Sequence, residues 1–145
     1  MSLEEMLLRG ELIREPASSG EIRRLIDAAT RRLEDAANTS IHPETRLEQA
    51  YHAILNCALI ALRAENLRAV NAPGKHRVVL ESLEDTFGTP PDLIAYFQQL
   101  RNLRHRDIYE GSIHVSEHEA EDAVTEASGL LEHLRTWLEA RADGS

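Results

Sequence analysis

The stretch from Arg101 to Gly111 concentrates residues that could do chemistry. It reads Arg-Asn-Leu-Arg-His-Arg-Asp-Ile-Tyr-Glu-Gly, in a chain of 145 residues with a formal net charge of −9. A guanidinium group keeps its charge at neutral pH and binds phosphate through two parallel hydrogen bonds. The stretch therefore indicates an anion site, in which Arg104 would hold a phosphate with His105 or Tyr109 nearby.

Helical geometry places two charged residues of this stretch on the apolar side of a helix that is predicted to begin near Pro91. At 100° per residue, Arg104 lies within about 40° of Leu100, and Asp107 lies within about 20° of it. Burying an unpaired charge is costly. Either an Arg104–Asp107 ion pair closes the end of a bundle, or Asp107 orients Arg104 in a binding site.

A second basic cluster, Lys75-His76-Arg77, follows a Pro-Gly turn. A solvated helix start explains it, and a second phosphate contact is the alternative. His52 and Asn56 share one face of the helix that is expected to be most buried. They are expected to be hydrogen-bonded polar residues of the core, or to line a pocket that faces the arginines.

Helix start signals mark the elements that would position these side chains. Ser18-x-x-Glu21 and Ser116-x-x-Glu119 have the pattern of a capping box, in which both side chains satisfy backbone N–H groups. Pro43 suits the first position of another helix. Apolar residues recur at helical spacing after each of these signals.

The remaining elements are also helical. A shorter helix is predicted from about Lys75 to Phe87, ended by Gly88, with Thr89 as the N-cap of the next helix. No segment alternates with period two, so we predict no sheet. The chain is predicted to be an all-α, antiparallel up-and-down bundle of about five helices, one domain over residues 1–145 with its core at about 18–140.

The composition excludes several classes of protein. The one cysteine, Cys57, excludes an intrachain disulfide framework and favours a reducing compartment. The longest apolar run, Cys57 to Leu62, is far shorter than a membrane span, and the first ten residues do not resemble a signal peptide. We find no phosphate loop, dinucleotide fingerprint or zinc motif. We therefore expect a cytoplasmic protein that binds no membrane, cofactor or metal.

The stretch Arg104 to Tyr109 resembles the motif of the HEPN superfamily. In that family a helix end carries Arg, usually followed by Asn or another polar residue, then a short spacer, then His. The helix that carries Ala50-Tyr51-His52-Ala53 is similar to the second core helix of small HEPN proteins. The order of helices over roughly Glu21 to Leu138 also resembles that family.

The resemblance implies a bundle that often dimerises, so that two motif helices meet. In active members, Arg and His from the paired motifs form a metal-independent ribonuclease site. There Arg would stabilise phosphate charge, and His would handle the proton of the attacking 2′-hydroxyl. Many such proteins are toxins or partners of nucleotidyltransferase-like proteins.

Two registers of the motif are possible, and the register from Arg104 to Tyr109 is favoured because it aligns the following Glu110-Gly111 and the second capping box. If Arg104 is the motif arginine, His105 holds the Asn position and Tyr109 holds the His position. A phenol, with an unperturbed pKa near 10, is a poor base at neutral pH. If the motif begins at Arg101-Asn102 instead, His105 follows after a spacer shorter than the family's, on the same helical face as Arg101.

The predicted function is binding of RNA or a nucleotide by a HEPN-like homodimer, with toxin-type ribonuclease activity as an open question. The alternative is a catalytically silent helical module that partners an antitoxin or a nucleotidyltransferase-like protein. The candidate catalytic residues are Arg104, His105 and Tyr109. The candidate binding residues are Arg101, Asn102, Arg106 and Asp107.

Overall fold

The protein is an all-α helical bundle, as predicted, with one very small sheet. The computed structural model describes residues 2–111 and 114–144, except for the side chains of residues 108, 109, 143 and 144. The helices are α1 (Leu3–Leu8), α2 (Ser19–Ala36), α3 (Pro43–Ala64), α4 (Lys75–Glu81), α5 (Leu83–Phe87), α6 (Pro91–Glu110) and α7 (Glu117–Gly144). The strands are β1 (Leu12–Arg14) and β2 (Leu67–Ala69).

Helix α3 is the centre of the bundle. It packs against α2 and α7 along most of its length and also contacts α4, α5 and α6. In the apolar run, every residue except the partly buried Leu59 is fully buried, and this confirms that α3 is deeply buried, as predicted. Each such Leu or Ile stabilises the fold by about 1.5–3 kcal/mol through removal of apolar surface from water. None of the described helices is long and apolar enough to cross a lipid bilayer.

The predicted start signals of three helices are confirmed. The Ser18 hydroxyl accepts a hydrogen bond from the Glu21 backbone N–H at 3.1 Å. Ser116 and Glu119 form the complete capping box, because each side chain accepts a hydrogen bond from the other residue's backbone N–H. Pro43 begins α3.

The expected N-cap at Thr89 is wrong. Helix α6 begins at Pro91, and Pro90 is its N-cap in an extended conformation. A residue that precedes a proline is pushed away from helical geometry, so the proline pair moves the start of the helix one residue along. The Thr89 hydroxyl is buried, and it has no hydrogen-bond partner among the described residues.

The single helix that was predicted from Lys75 to Phe87 is divided into α4 and α5 at Ser82. The Ser82 hydroxyl donates a hydrogen bond to the Val79 backbone carbonyl at 2.6 Å. Such a local bond competes with the regular helical pattern. The predicted end at Gly88 is confirmed, since this glycine adopts the left-handed conformation with φ of 77°.

The prediction that the chain has no sheet is wrong. Strand β1 pairs with β2 in antiparallel fashion, and Leu12 lies opposite Ala69. Each strand has three residues, too few to show a period of two. Asn66, with φ of 59°, reverses the chain after α3 and so brings β2 beside β1. Asn tolerates this left-handed conformation better than most residues do.

Candidate anion-binding site

Three of the sequence-predicted site residues line one cavity. The cavity has a volume of about 320 Å³, and its α6 wall carries Arg101, Arg104 and His105. The opposite wall is the start of α4 with the loop before it. We call this site the basic pocket. Its nine lining residues are Asn71, Ala72, Gly74, Lys75, His76, Arg77, Arg101, Arg104 and His105.

The second basic cluster of the sequence therefore meets the first. Lys75, His76 and Arg77 reach the pocket because Gly74 turns the chain into α4 with φ of 83°, a conformation that glycine adopts without strain. The Gln98 side chain of α6 donates a hydrogen bond to the Arg77 backbone carbonyl at 3.1 Å. This bond fastens the start of α4 to α6, so both walls of the pocket are held together.

Arg104 lies between the pocket and the core. Its side chain is 26% exposed, and its Nε atom is 3.6 Å from the Glu48 Oε1 atom of α3. Its guanidinium carbon is 5.9 Å from the ring centroid of Tyr51. The Nε atom is buried, and neither it nor the rest of the guanidinium forms a hydrogen bond with any described residue. A guanidinium has five N–H donors, and here all five lack a hydrogen-bonded partner within the described protein.

The Arg104–Asp107 ion pair that was considered from the sequence is not formed. The charged partner of Arg104 is Glu48, because Arg104 points toward α3 rather than along its own helix. The Asp107 side chain is half-buried and makes no ion pair with a described residue. Asp107 therefore does not hold Arg104 in position.

His76 of the pocket lining contacts Tyr51, which is not itself among the lining residues. The Tyr51 hydroxyl is 3.3 Å from the His76 Nδ1 atom. Burial raises the pKa of Tyr51 to about 12, although the charges of Arg104 and Arg101 oppose this. The phenol therefore keeps its proton, and the tautomer of the neutral imidazole decides which of the two groups donates the hydrogen bond.

His76 is neutral near pH 7. Burial lowers the pKa of His76, and the positive charges of Arg104, Lys75 and Arg101 lower it further. Burial and the charge of Arg104 also lower the pKa of His52. His52 lies beside Tyr51 and 3.8 Å from Glu48, but neither His52 nor Asn56 lines the pocket.

The other two pocket arginines have some partners outside the lining. The Arg101 Nε atom donates a hydrogen bond to Gln98 Oε1 at 2.7 Å. Arg77 is 3.6 Å from Glu11 Oε2. No carboxylate is among the nine lining residues. Four cationic side chains and two histidines thus face one space, an arrangement that can bind an anion.

The remaining predicted site residues do not join this pocket. Asn102 and Arg106 line a different cavity on the other side of α6, because a helix turns successive residues by 100°. Asp107 is among the lining residues of neither cavity. The backbone of Tyr109 lies in α6, but its side chain lies outside the described residues.

Sequence reasoning missed two residues of α3 that contact the lining of the pocket, Tyr51 next to His76 and Glu48 next to Arg104. Tyr51 was noted only for its place in a helix, and Glu48 carried no signal at all. No family model, curated protein or solved structure matches this chain. Among the described residues, no three His, Cys, Asp or Glu side chains are grouped as metal ligands would be.

Proposed function

We propose that this chain binds a phosphate group of RNA or of a nucleotide in the basic pocket, as a HEPN-like protein. The observation that carries the proposal is the charge of the lining. Lys75, Arg77, Arg101 and Arg104 converge with two histidines and no carboxylate, although the chain has 25 acidic and 16 basic residues. Like charges that converge repel one another, and a bound phosphate would relieve this repulsion.

Arg104 is the residue on which the proposal depends most. None of its five N–H donors is bonded to a residue that the structure describes, and the group lies partly out of solvent. A phosphate accepts two parallel hydrogen bonds from such a group, and the bonds are stronger where water is partly excluded. Arg101 offers its remaining donors from one turn earlier on α6, since only its Nε atom is bonded to Gln98.

RNA cleavage is the second activity that we propose for this pocket, in the manner of toxin-type HEPN ribonucleases. The observation that favours it is a neutral His76 beside Arg101 and Arg104. In the tautomer whose Nδ1–H donates to the Tyr51 oxygen, the Nε2 atom of His76 can take the proton of an attacking 2′-hydroxyl. The 2′-oxygen then bonds to phosphorus as the bond from phosphorus to the 5′-oxygen breaks, and the leaving 5′-oxygen takes a proton from water. The arginines stabilise the developing phosphate charge. Arg101 and His105 share the pocket, and this favours the register of the motif that begins at Arg101.

The proposal includes a homodimer. The pocket is lined by only two segments, residues 71–77 and α6, so a second copy would supply a further wall. The alternative function is a catalytically silent module that partners an antitoxin or a nucleotidyltransferase-like protein. That alternative predicts no RNA or nucleotide binding in the pocket, so a binding experiment separates the two.

The experiment measures binding by the fluorescence anisotropy of two labelled probes, an oligoribonucleotide and an ATP analogue. The oligoribonucleotide has roughly 12 nucleotides, a length within the site sizes of proteins that bind single strands. The variant Lys75→Ala/Arg101→Ala removes two pocket charges. We expect its affinity to fall at least about tenfold, because each phosphate contact contributes to binding and to its salt dependence. The matched control is Arg23→Ala/Arg31→Ala, which removes two exposed charges of α2.

The control variant should bind within about twofold of the wild type, since its charges lie outside the pocket and are screened by salt. Equal losses in both variants would show nonspecific attraction and would overturn the proposal. Incubation of the wild type with the same RNA, followed by gel analysis, tests cleavage separately. Binding without cleavage would leave the phosphate site intact and reject the ribonuclease activity.

A further inference from the structure

The side of α6 opposite the basic pocket forms a groove with α7. Two adjoining cavities of about 320 Å³ and 380 Å³ share Tyr96 and Asp122 in their linings. We call them together the acidic groove. Its lining residues are Leu47, Asp92, Leu93, Tyr96, Gln99, Leu100, Asn102, Leu103, Arg106, Glu119, Asp122, Thr125 and Glu126.

The floor of the acidic groove is apolar. Leu47 and Leu100 are buried, and Tyr96 and Leu103 are half-buried against the core. The lining runs along α6 from Asp92 to Arg106, a distance of roughly 20 Å at the helical rise. That length matches about four turns of a helix laid alongside.

The rim of the acidic groove is negative. It carries the carboxylates of Asp92, Glu119, Asp122 and Glu126, and the one cationic side chain in the lining is Arg106. Arg106 is itself 3.8 Å from a carboxylate oxygen of Glu110, so it does not neutralise the rim.

The pKa of Tyr96 reflects the negative charge of the rim. Burial, followed by the charges of Asp122, Glu126 and Glu119, raises the pKa of Tyr96 to about 12. The phenol therefore stays protonated. Its hydroxyl makes no hydrogen bond with a described residue, so it is a donor at the floor that a ligand can use.

We propose that the acidic groove binds a cationic amphipathic helix of a partner protein. The apolar face of that helix would cover Tyr96, Leu100 and Leu103, and its Lys or Arg residues would meet the carboxylates of the rim. Amphipathic helices bind grooves of this kind through apolar anchors at helical spacing. Charge complementarity selects the partner and suppresses wrong ones.

The charge of the acidic groove disfavours two other occupants. RNA is a polyanion, and a second copy of this chain has a formal net charge of −9, so the rim repels both. This inference does not depend on phosphate binding in the basic pocket, because the two sites share no lining residue.

The probe is a fluorescein-labelled peptide of about 15 residues with Leu and Lys at helical spacing, roughly 22 Å long as a helix. A peptide with Glu in place of Lys is its matched control. We expect the wild type to bind only the Lys peptide. Amide chemical-shift changes in ¹⁵N spectra should concentrate on the acidic groove, around Tyr96, Leu103 and Asp122.

The variant Asp122→Lys/Glu126→Lys reverses two rim charges. We expect its affinity for the Lys peptide to fall at least about tenfold, since like charges would then face each other. Glu132→Lys/Glu139→Lys changes the net charge equally on exposed parts of α7 outside the groove. This control should bind within about twofold of the wild type. If the reversed variant does not fold, Asp122→Asn/Glu126→Gln replaces it, with an expected loss of about fivefold.

Two outcomes would overturn the inference. Equal losses in the rim variant and its control would show that the peptide is attracted by net charge alone. Loss of a wild-type dimer on rim reversal, measured by sedimentation equilibrium, would show that the acidic groove is instead an interface between two copies of this chain.

Discussion

The two buried arginines of α3, Arg46 and Arg63, differ from Arg104 of the basic pocket in how their guanidinium groups are hydrogen-bonded. Arg63 of α3 is 4% exposed, and its five N–H groups donate five hydrogen bonds. They reach the backbone carbonyls of Glu15, Pro16 and Leu67 and both carboxylate oxygens of Glu21. Arg104 is also largely covered, yet it makes no hydrogen bond with a described residue.

Arg46 repeats the pattern of Arg63 at the other end of α3. It is 1% exposed and donates hydrogen bonds to the Ala36 carbonyl and to the carboxylates of Glu117 and Glu121. A buried guanidinium is tolerated only when its donors are matched in this way. The difference teaches that hydrogen-bond satisfaction, more than burial, distinguishes the arginines that hold the fold from Arg104, for which we propose a ligand.

The largest effect is expected for Arg63→Ala. The change would leave three carbonyls and a carboxylate without their donor, and we expect the free energy of unfolding to fall by about 3–5 kcal/mol. Urea denaturation followed by circular dichroism measures it. Arg23→Ala, on the exposed face of α2, is the control and should change stability by less than about 0.5 kcal/mol. If the free energy of unfolding of Arg63→Ala falls by less than about 1 kcal/mol, the hydrogen bonds of Arg63 do not distinguish it from Arg104 in stabilising the fold.

Arg104→Ala should weaken RNA binding strongly and change the stability of the fold only slightly. It removes no hydrogen bond to any residue in the described part of the chain. We therefore expect the free energy of unfolding to change by no more than about 1 kcal/mol, the upper range for a partly exposed ion pair. Affinity for the oligoribonucleotide should fall at least about tenfold, which equals about 1.4 kcal/mol of binding free energy. If the variant is strongly destabilised and the wild type does not bind RNA, Arg104 stabilises the fold and does not bind a ligand.

The pH dependence should also differ between folding and binding. The pKa of His76 lies below its ordinary value of 6.5 in the folded protein, so the unfolded chain binds more protons as the pH falls below 6.5. The free energy of unfolding should therefore decrease from pH 7 toward pH 5. A bound phosphate favours the charged imidazole, so RNA affinity should increase several-fold over the same range.

The variant His76→Asn tests the origin of that pH dependence. It removes the titrating group and should flatten the increase in RNA affinity, as measured by anisotropy across the pH series. An increase that persists unchanged in this variant would assign the proton uptake to another group.

The smallest effect is expected for Glu48→Gln. This change removes the one carboxylate that lies 3.6 Å from Arg104, so the pocket becomes more positive. We expect RNA to bind roughly two- to threefold more tightly, because the removed charge is partly screened. Glu44→Gln, an exposed residue of the same helix, controls for net charge and should have no measurable effect. Weaker binding by Glu48→Gln would mean that Glu48 serves to position Arg104.

The sequence by itself determined the helical elements. The starts at Ser18, Pro43 and Ser116 and the end at Gly88 followed from short-range rules, because a cap or a proline acts on backbone groups within one turn. The burial of α3 followed from its apolar run in the same way. The start of α6 near Pro91 was also predicted, but its N-cap is Pro90 and not Thr89. This N-cap and the division at Ser82 depend on a proline pair and a side-chain bond, whose competition with other local signals the sequence pattern did not resolve.

Only the tertiary structure decided which side chains meet. Three contacts join residues from different helices and strands: Leu12 with Ala69, Arg104 with Glu48, and His76 with Tyr51. Periodicity states which face of a helix is apolar, but it does not state which neighbour covers that face. Arg104 lines the cavity between α6 and α4, whereas Arg106 lines the cavity between α6 and α7. The position of α6 in the bundle thus divided one basic stretch between two cavities.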